Sequence, residues 1–248
     1  GPGQTPLSLC DAEADAPPPP RVPVNDDIAL VLFTSGTTGR PKGAQLTGAN
    51  LAHQARLLSD AWQLDAATEL LHVLPLHHMH GIAIALLPTL VGGGTTHFLP
   101  RFDAEAVWHA MNTTNTFMAV PTMYHRLLAA FDAAPTLQSE RRQRAARMRL
   151  CTSGSAALPV TLAERWRALT GAIPLERYGM TEIGVGCANP LEPSARRRGT
   201  VGPPLPTQEM RIVDAGGEDA AEGEVWVRGP SVFAGYFERP EADAEAFV

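Results

Sequence analysis

Residues 34–43 read Thr34-Ser35-Gly36-Thr37-Thr38-Gly39-Arg40-Pro41-Lys42-Gly43 and follow an apolar run, Ile28 to Phe33, that reads as a buried strand. The composition suits a polyphosphate. Gly36, Gly39 and Gly43 let the backbone turn tightly and come close to a ligand. Thr34, Ser35, Thr37 and Thr38 supply hydroxyl donors, and Lys42 a point charge. A Walker loop places Ser or Thr directly after Gly-Lys. Here Pro41-Lys42-Gly43 breaks that pattern, which argues against a kinase or GTPase. The competing reading is a flexible Gly/Thr surface loop.

Three other segments carry chemistry-bearing side chains. His77, His78 and His80 crowd into Leu74–Gly81. No Cys or acidic residue lies close to them in sequence, and a zinc site needs three or four ligands, so a metal centre is disfavoured there. Ser153-Gly154-Ser155-Ala156-Ala157 joins a strand to a helix, and its small residues admit a flat base or an acyl group; an ordinary capped turn is the alternative. In Glu176–Glu182, Glu182 is a hard oxygen ligand suited to Mg²⁺ beside phosphates, or else a helix-capping carboxylate.

These segments must be held by a regular scaffold, and the chain alternates short apolar runs with amphipathic stretches. Strands are expected at 28–33, 70–74, 95–99, 116–120, 149–152 and 174–177, and helices at 48–62, 82–90, 104–111, 121–131, 136–147 and 159–169. Thr47 and Asp103 can cap helices, Pro121 and Pro159 suit a first turn, and Gly171 suits a stop. Such alternation predicts an α/β fold with a largely parallel sheet and flanking helices. After Gly199, alternating runs at 208–213 and 224–228 around Asp214-Ala215-Gly216-Gly217 predict a short antiparallel β-rich segment. The expected organisation is a Pro-rich tag or linker over 1–25, an α/β core over 26–195 and a β-rich unit over 196–248.

A net charge of −6 excludes nucleic acid as the default partner, and no apolar run approaches the ~20 residues of a membrane span. Three cysteines, Cys10, Cys151 and Cys187, are too few for a disulfide framework, so a reducing, cytoplasmic setting is expected.

Taken in order, the 34–43 loop, Leu74–Gly81, Glu176–Glu182 and Gly223–Gly229 leading to Gly235-Tyr236 resemble the AMP-forming acyl-CoA synthetase and adenylation superfamily. The resemblance covers nearly the whole chain from Asp27. It implies ATP, Mg²⁺ and CoA as cofactors and co-substrates. It also implies that Thr34–Gly39 and Lys42 hold the β- and γ-phosphates, that Thr181 contacts the α-phosphate, and that Glu182 binds Mg²⁺. By the same resemblance Tyr178 and Gly179 contact adenine, Ser153-Gly154-Ser155 bound the adenine and acyl pockets, Met180 faces substrate, and His78 gates the acyl pocket.

The finer likeness is to malonyl-CoA synthetases, carried by Leu71–Gly81, Phe117–Arg126, Ser153–Pro159 and Glu176–Glu182. It implies a small dicarboxylate substrate, malonate or methylmalonate, whose distal carboxylate meets Arg126. Another acyl-CoA synthetase, a carrier-protein adenylation domain, or a non-catalytic nucleotide-binding module are the rival readings. The resemblance further implies an incomplete large domain. The family's ribose-binding segment and C-terminal catalytic lysine are not in this chain. The chain alone is therefore expected to be inactive, with apolar faces that the rest of the parent enzyme would cover.

Overall fold

The computed structural model describes residues 26–34 and 41–248. Expectations for the 1–25 linker, Cys10, Ser35, Gly36, Thr37, Thr38 and Gly39 lie outside the described residues.

Two strands open the fold. β1 (Ile28–Thr34) and β2 (Lys42–Thr47) pair antiparallel, with Thr34 opposite Lys42, so the two ends of the phosphate-loop sequence lie side by side. β1 is not the buried strand its apolar run predicts. It forms the edge of a three-stranded sheet ordered β1-β2-β11, and only Leu32 is fully buried, with Ile28 44% and Phe33 66% exposed. α1 (Gly48–Ala61) follows at once behind a reciprocal cap: Asn50 N–H donates to Thr47 Oγ1 and Thr47 N–H donates to Asn50 Oδ1, both at 3.0 Å.

The central sheet has six strands ordered β4-β3-β5-β6-β7-β8. β3 (Glu69–His72), β4 (Thr95–Phe98), β5 (Thr116–Ala119), β6 (Leu150–Ser153) and β7 (Leu175–Met180) run parallel, and β8 (Gly184–Ala188) returns antiparallel to β7. Successive residues point to opposite faces. Leu70, Met118 and Leu150 enter one core with Leu58 of α1 and Trp62 at its C-terminal cap. Leu71, Phe117 and Cys151 enter a second core with residues of α3 (Ala104–Ala110), α4 (Pro121–Ala133), α5 (Gln138–Ala145) and α6 (Val160–Thr170). The second core holds Trp108, Tyr124 and Trp166, and their polar atoms are satisfied where needed: Trp108 Nε1 donates to Leu127 O at 3.0 Å and Tyr124 Oη to Thr152 O at 2.8 Å.

The segment expected as helix 82–90 is a π-helix, His80–Leu86, running into α2 (Leu87–Val91). Pro88 thereby falls in the first turn of α2, where its missing N–H costs nothing. The β-rich unit expected after residue 196 does not stand apart. β9 (Glu209–Val213) and β10 (Glu224–Arg228) form their own antiparallel pair, but β11 (Gly235–Tyr236) joins β2, and α7 (Pro240–Ala246) follows it. No helix among the described residues is long and apolar enough to cross a membrane.

Candidate active site

A cavity of about 520 Å³ opens at the carboxyl ends of β3, β5, β6 and β7. Ligands in open α/β sheets bind at this edge, where connections leave the strands and backbone groups are free. Thr34 reaches it from the hairpin, His78 and His80 from the turn after β3, Met123 from α4, Ser155 from the turn after β6, and Arg177 with Gly179–Glu182 from β7 and its turn. Of the residues singled out in sequence, the structure therefore brings Thr34, His78, Ser155, Gly179, Met180, Thr181 and Glu182 together. Lys42 stands beside them, its Nζ 4.7 Å from the centre of the Tyr236 ring, and Thr34 Oγ1 donates to Lys42 O at 3.3 Å across the neck of the hairpin. Tyr178 is half-buried on β7 and Ser153 is buried at the end of β6; neither lines the cavity.

Arg126 is not brought to the cavity. Tyr124, Leu127, Leu128 and Phe131 form the buried stripe of α4, and Arg126 falls on the opposite side of the helix. It is exposed, with its guanidinium 4.8 Å from the centre of the Phe102 ring.

The cation in the cavity wall is Arg177, which was not singled out in sequence. It is only 4% exposed, and its Nε and Nη2 have no hydrogen-bond partner among the described residues. Burial lowers its pKa from 12.5 to about 10, so it remains charged at neutral pH. The guanidinium lies across Gly154: a Cβ there would sit 2.4 Å from Arg177 Cζ and Nε. A signal did exist. A strand expected at 174–177 in a parallel sheet is covered on both faces, so a charge at its carboxyl end needs a partner.

Among the described residues lining the cavity, His80 is the second with a buried polar atom left unpaired. Its Nδ1 is 3.4 Å from Ser155 Oγ, while Nε2 has no partner among the described residues. Burial, then the nearby Arg177 and His72, hold its pKa well below 6.5, so the ring is neutral. His72 Nε2–H donates to Gly81 O at 2.9 Å, and burial lowers the His72 pKa too, with the Gly81 carbonyl opposing. Given that geometry, the tautomer that fits has the proton on His72 Nε2. Ser155 carries φ +67°, a left-handed backbone uncommon outside glycine, which marks a strained turn at the site.

Glu182 is buried, and its Oε1 accepts from Tyr236 Oη at 2.7 Å. Among the described residues no group of three or more His, Cys, Asp or Glu converges on one point. A single carboxylate still fits Mg²⁺, which is commonly held by one or two carboxylates together with substrate phosphates.

A six-stranded, mostly parallel sheet, a Gly/Thr/Lys hairpin beside its carboxyl edge and a cavity holding one carboxylate and one buried arginine define the large domain of an adenylating enzyme. Residues 3–237 match the AMP-binding enzyme family, and the chain belongs to it. It is 44% identical over 254 residues to the mitochondrial malonate–CoA ligase ACSF3 of Mus musculus, covering 90% of this chain and 43% of that protein. It is 40% identical over 236 residues to a malonate–CoA ligase of Arabidopsis thaliana, covering 90% of this chain and 39% of that protein. A solved malonyl-CoA ligase ternary product complex with methylmalonyl-CoA and AMP bound superimposes with a TM-score of 0.83 at 42% identity, over 91% of this chain and 48% of that one. The chain thus spans less than half the length of the relatives it matches.

Proposed function

We propose that the protein carrying this chain activates a short dicarboxylate, malonate or methylmalonate, with ATP and transfers the acyl group to CoA. Arg177 is the observation that carries the reading. A buried guanidinium with two donor atoms unpaired, facing a cavity, calls for an anion, and a carboxylate matches its fork. A monocarboxylate lying with its only charge at the phosphates would leave Arg177 unpaired.

In the first step one carboxylate oxygen of the acid bonds to the α-phosphorus of ATP as the bond to pyrophosphate breaks, giving the acyl-adenylate. In the second, the CoA thiol bonds to the acyl carbon and AMP leaves. Lys42, Thr34 and residues Ser35–Gly39 hold the β- and γ-phosphates, and Thr181 the α-phosphate, which brings two anions together at low Coulomb cost. Glu182 would hold Mg²⁺, whose charge neutralises phosphate oxygens. Tyr178 and Gly179 take the adenine side; Ser153, Gly154, Ser155 and Met180 bound the acyl side, and His78 closes it. Neutral His80 beside Arg177 can donate to or accept from the acid without adding charge.

The test is ATP–pyrophosphate exchange by the full-length protein with malonate, methylmalonate, acetate and butyrate. Exchange with both diacids is expected, within about a hundredfold of one another because one methyl discriminates weakly. Strong exchange with butyrate and none with malonate refutes the reading.

A further inference from the structure

Tyr236 touches both charged groups assigned to the nucleotide, from the far end of the chain. Its hydroxyl donates to Glu182 Oε1 at 2.7 Å, and its ring centre lies 4.7 Å from Lys42 Nζ. The backbone makes this contact rigid. β11 pairs with β2 so that Tyr236 is opposite Ala44, two residues from Lys42 and therefore on the same face of the sheet. Ala234 N–H donates to Gln45 O at 2.9 Å and Phe237 N–H to Gly43 O at 2.8 Å, fixing the residues on either side. The same segment holds Glu182 by its main chain, since Phe233 N–H donates to Glu182 O at 2.8 Å. Asp243 Oδ1 accepts from Tyr236 N–H at 2.7 Å, and the Phe233 ring meets the Tyr236 ring edge-on with centres 4.7 Å apart.

A buried phenol needs a hydrogen-bond partner, and a main-chain carbonyl would satisfy it. Here the partner is the one carboxylate lining the cavity. Among the described residues nothing else donates to the Glu182 side chain, so this single bond sets its rotation.

We propose that Tyr236 is a positioning residue of the nucleotide site, its hydroxyl directing the Glu182 carboxylate and its ring seating the Lys42 ammonium. The inference rests on the roles given to Lys42 and Glu182 above. It assigns to the β11 segment a function in aligning metal and lysine on one polyphosphate, in addition to closing the sheet.

The experiment uses the full-length protein and calorimetric binding of ATP with and without Mg²⁺, beside exchange rates at graded Mg²⁺. Tyr236→Phe keeps the ring and removes the hydroxyl. It should weaken Mg²⁺-dependent ATP binding about fivefold, the loss of one hydrogen bond to a charged group partly replaced by water, and leave metal-free ATP binding within about twofold. Tyr236→Leu removes the ring as well and should weaken metal-free binding by about threefold, through loss of the cation–ring contact. Glu182→Gln should lose the Mg²⁺ dependence by itself, and adding Tyr236→Phe to it should change nothing further. If Glu182→Gln loses that dependence while Tyr236→Phe keeps it, the positioning role is wrong and the site assignment stands. Equal weakening of metal-free and Mg²⁺-dependent binding by Tyr236→Phe also overturns the positioning role, because that is what a packing defect does. If Glu182→Gln keeps the dependence, the assignment of Glu182 fails and takes the proposal with it.

Discussion

Replacing Arg177 with Met should make the free protein more stable and the enzyme worse at using malonate. The drop of the Arg177 pKa from 12.5 to about 10 is caused by burial. At about 1.36 kcal/mol per pH unit, it corresponds to about 3 kcal/mol spent on holding the charge in the fold. The pKa is depressed on folding, so this cost is present in full below pH 10 and fades only as pH rises from about 10 toward 12.5. At neutral pH an apolar side chain of similar length should recover about 1–3 kcal/mol. On the ligand side the sign reverses. A dicarboxylate pairing with Arg177 offsets the burial cost, and removing one partner of such a pair costs about 2–5 kcal/mol. The kcat/KM for malonate should therefore fall by at least about thirtyfold, while that for butyrate holds or rises. Thermal unfolding of the full-length protein, with and without malonate, reads both effects: a higher Tm for the free Arg177→Met protein and no further rise on adding malonate. A free variant less stable than the parent, with the parent's malonate-to-butyrate ratio, would refute the pairing of Arg177 with the acid. A rise in KM for ATP that is the same with either acid would instead assign Arg177 to a phosphate.

Other perturbations follow from neighbouring groups. Lys42→Ala should raise the KM for ATP about tenfold or more with a Tm within about 2 °C of the parent, because Lys42 is half-buried on a hairpin and ties no core together; an unchanged KM for ATP removes it from the phosphate site. His72 and His80 both have folded pKa values below 6.5, so the unfolded chain binds more protons as pH falls. Their contribution to stability is complete above 6.5 and is lost as pH drops toward the folded values. The urea midpoint should fall below about pH 6.5, and less steeply in His80→Gln; parallel curves for the two proteins would exclude His80 as a source. Gly154→Ala should displace the Arg177 side chain, since its Cβ would sit 2.4 Å from the guanidinium. It is expected to lower kcat/KM for malonate more than for butyrate, and equal losses would mean that the turn is merely disrupted.

How much of this was legible in sequence depends on whether the determining contact is local. α1, α3, α4 and α6 begin and end within about two residues of the positions set by Thr47, Asp103, Pro121, Pro159 and Gly171, because caps and fixed φ values act within one turn. Apolar runs likewise marked β3, β5 and β6, buried on both faces. Pairing was not local. Strand–helix alternation suggested that β1 belonged with the parallel sheet. β2 follows it after a short loop, which permits an antiparallel return, and that return captures β11 from nearly two hundred residues away. The site divides in the same way. Glu182, Thr181 and His78 lie in compact motifs and reach the cavity. Arg126 does not line the cavity: the 3.6-residue period places it opposite Tyr124 and Leu128. The partnership of Tyr236 with Glu182 spans 54 residues and carries no local signature.

Lys42 and Arg177 are carried by different sheets, the three-stranded and the six-stranded one. Arg177 is on a strand inside the six-stranded sheet, with Tyr178 and Arg177 registered against Cys187 and Ala188, so its guanidinium cannot follow a misplaced ligand. Lys42 stands at the start of β2, paired with Thr34 at the end of β1. Recognition of an acid by the distance between its two charges needs a fixed cation, and a strand supplies one better than a loop. Glu182 lies where the two meet, in the turn after β7 and hydrogen-bonded to the strand that completes the hairpin's sheet. An acid held by Arg177 and a nucleotide held by Lys42 would thus be referenced to each other through Glu182 and Tyr236, as the proposed attack on the α-phosphorus requires.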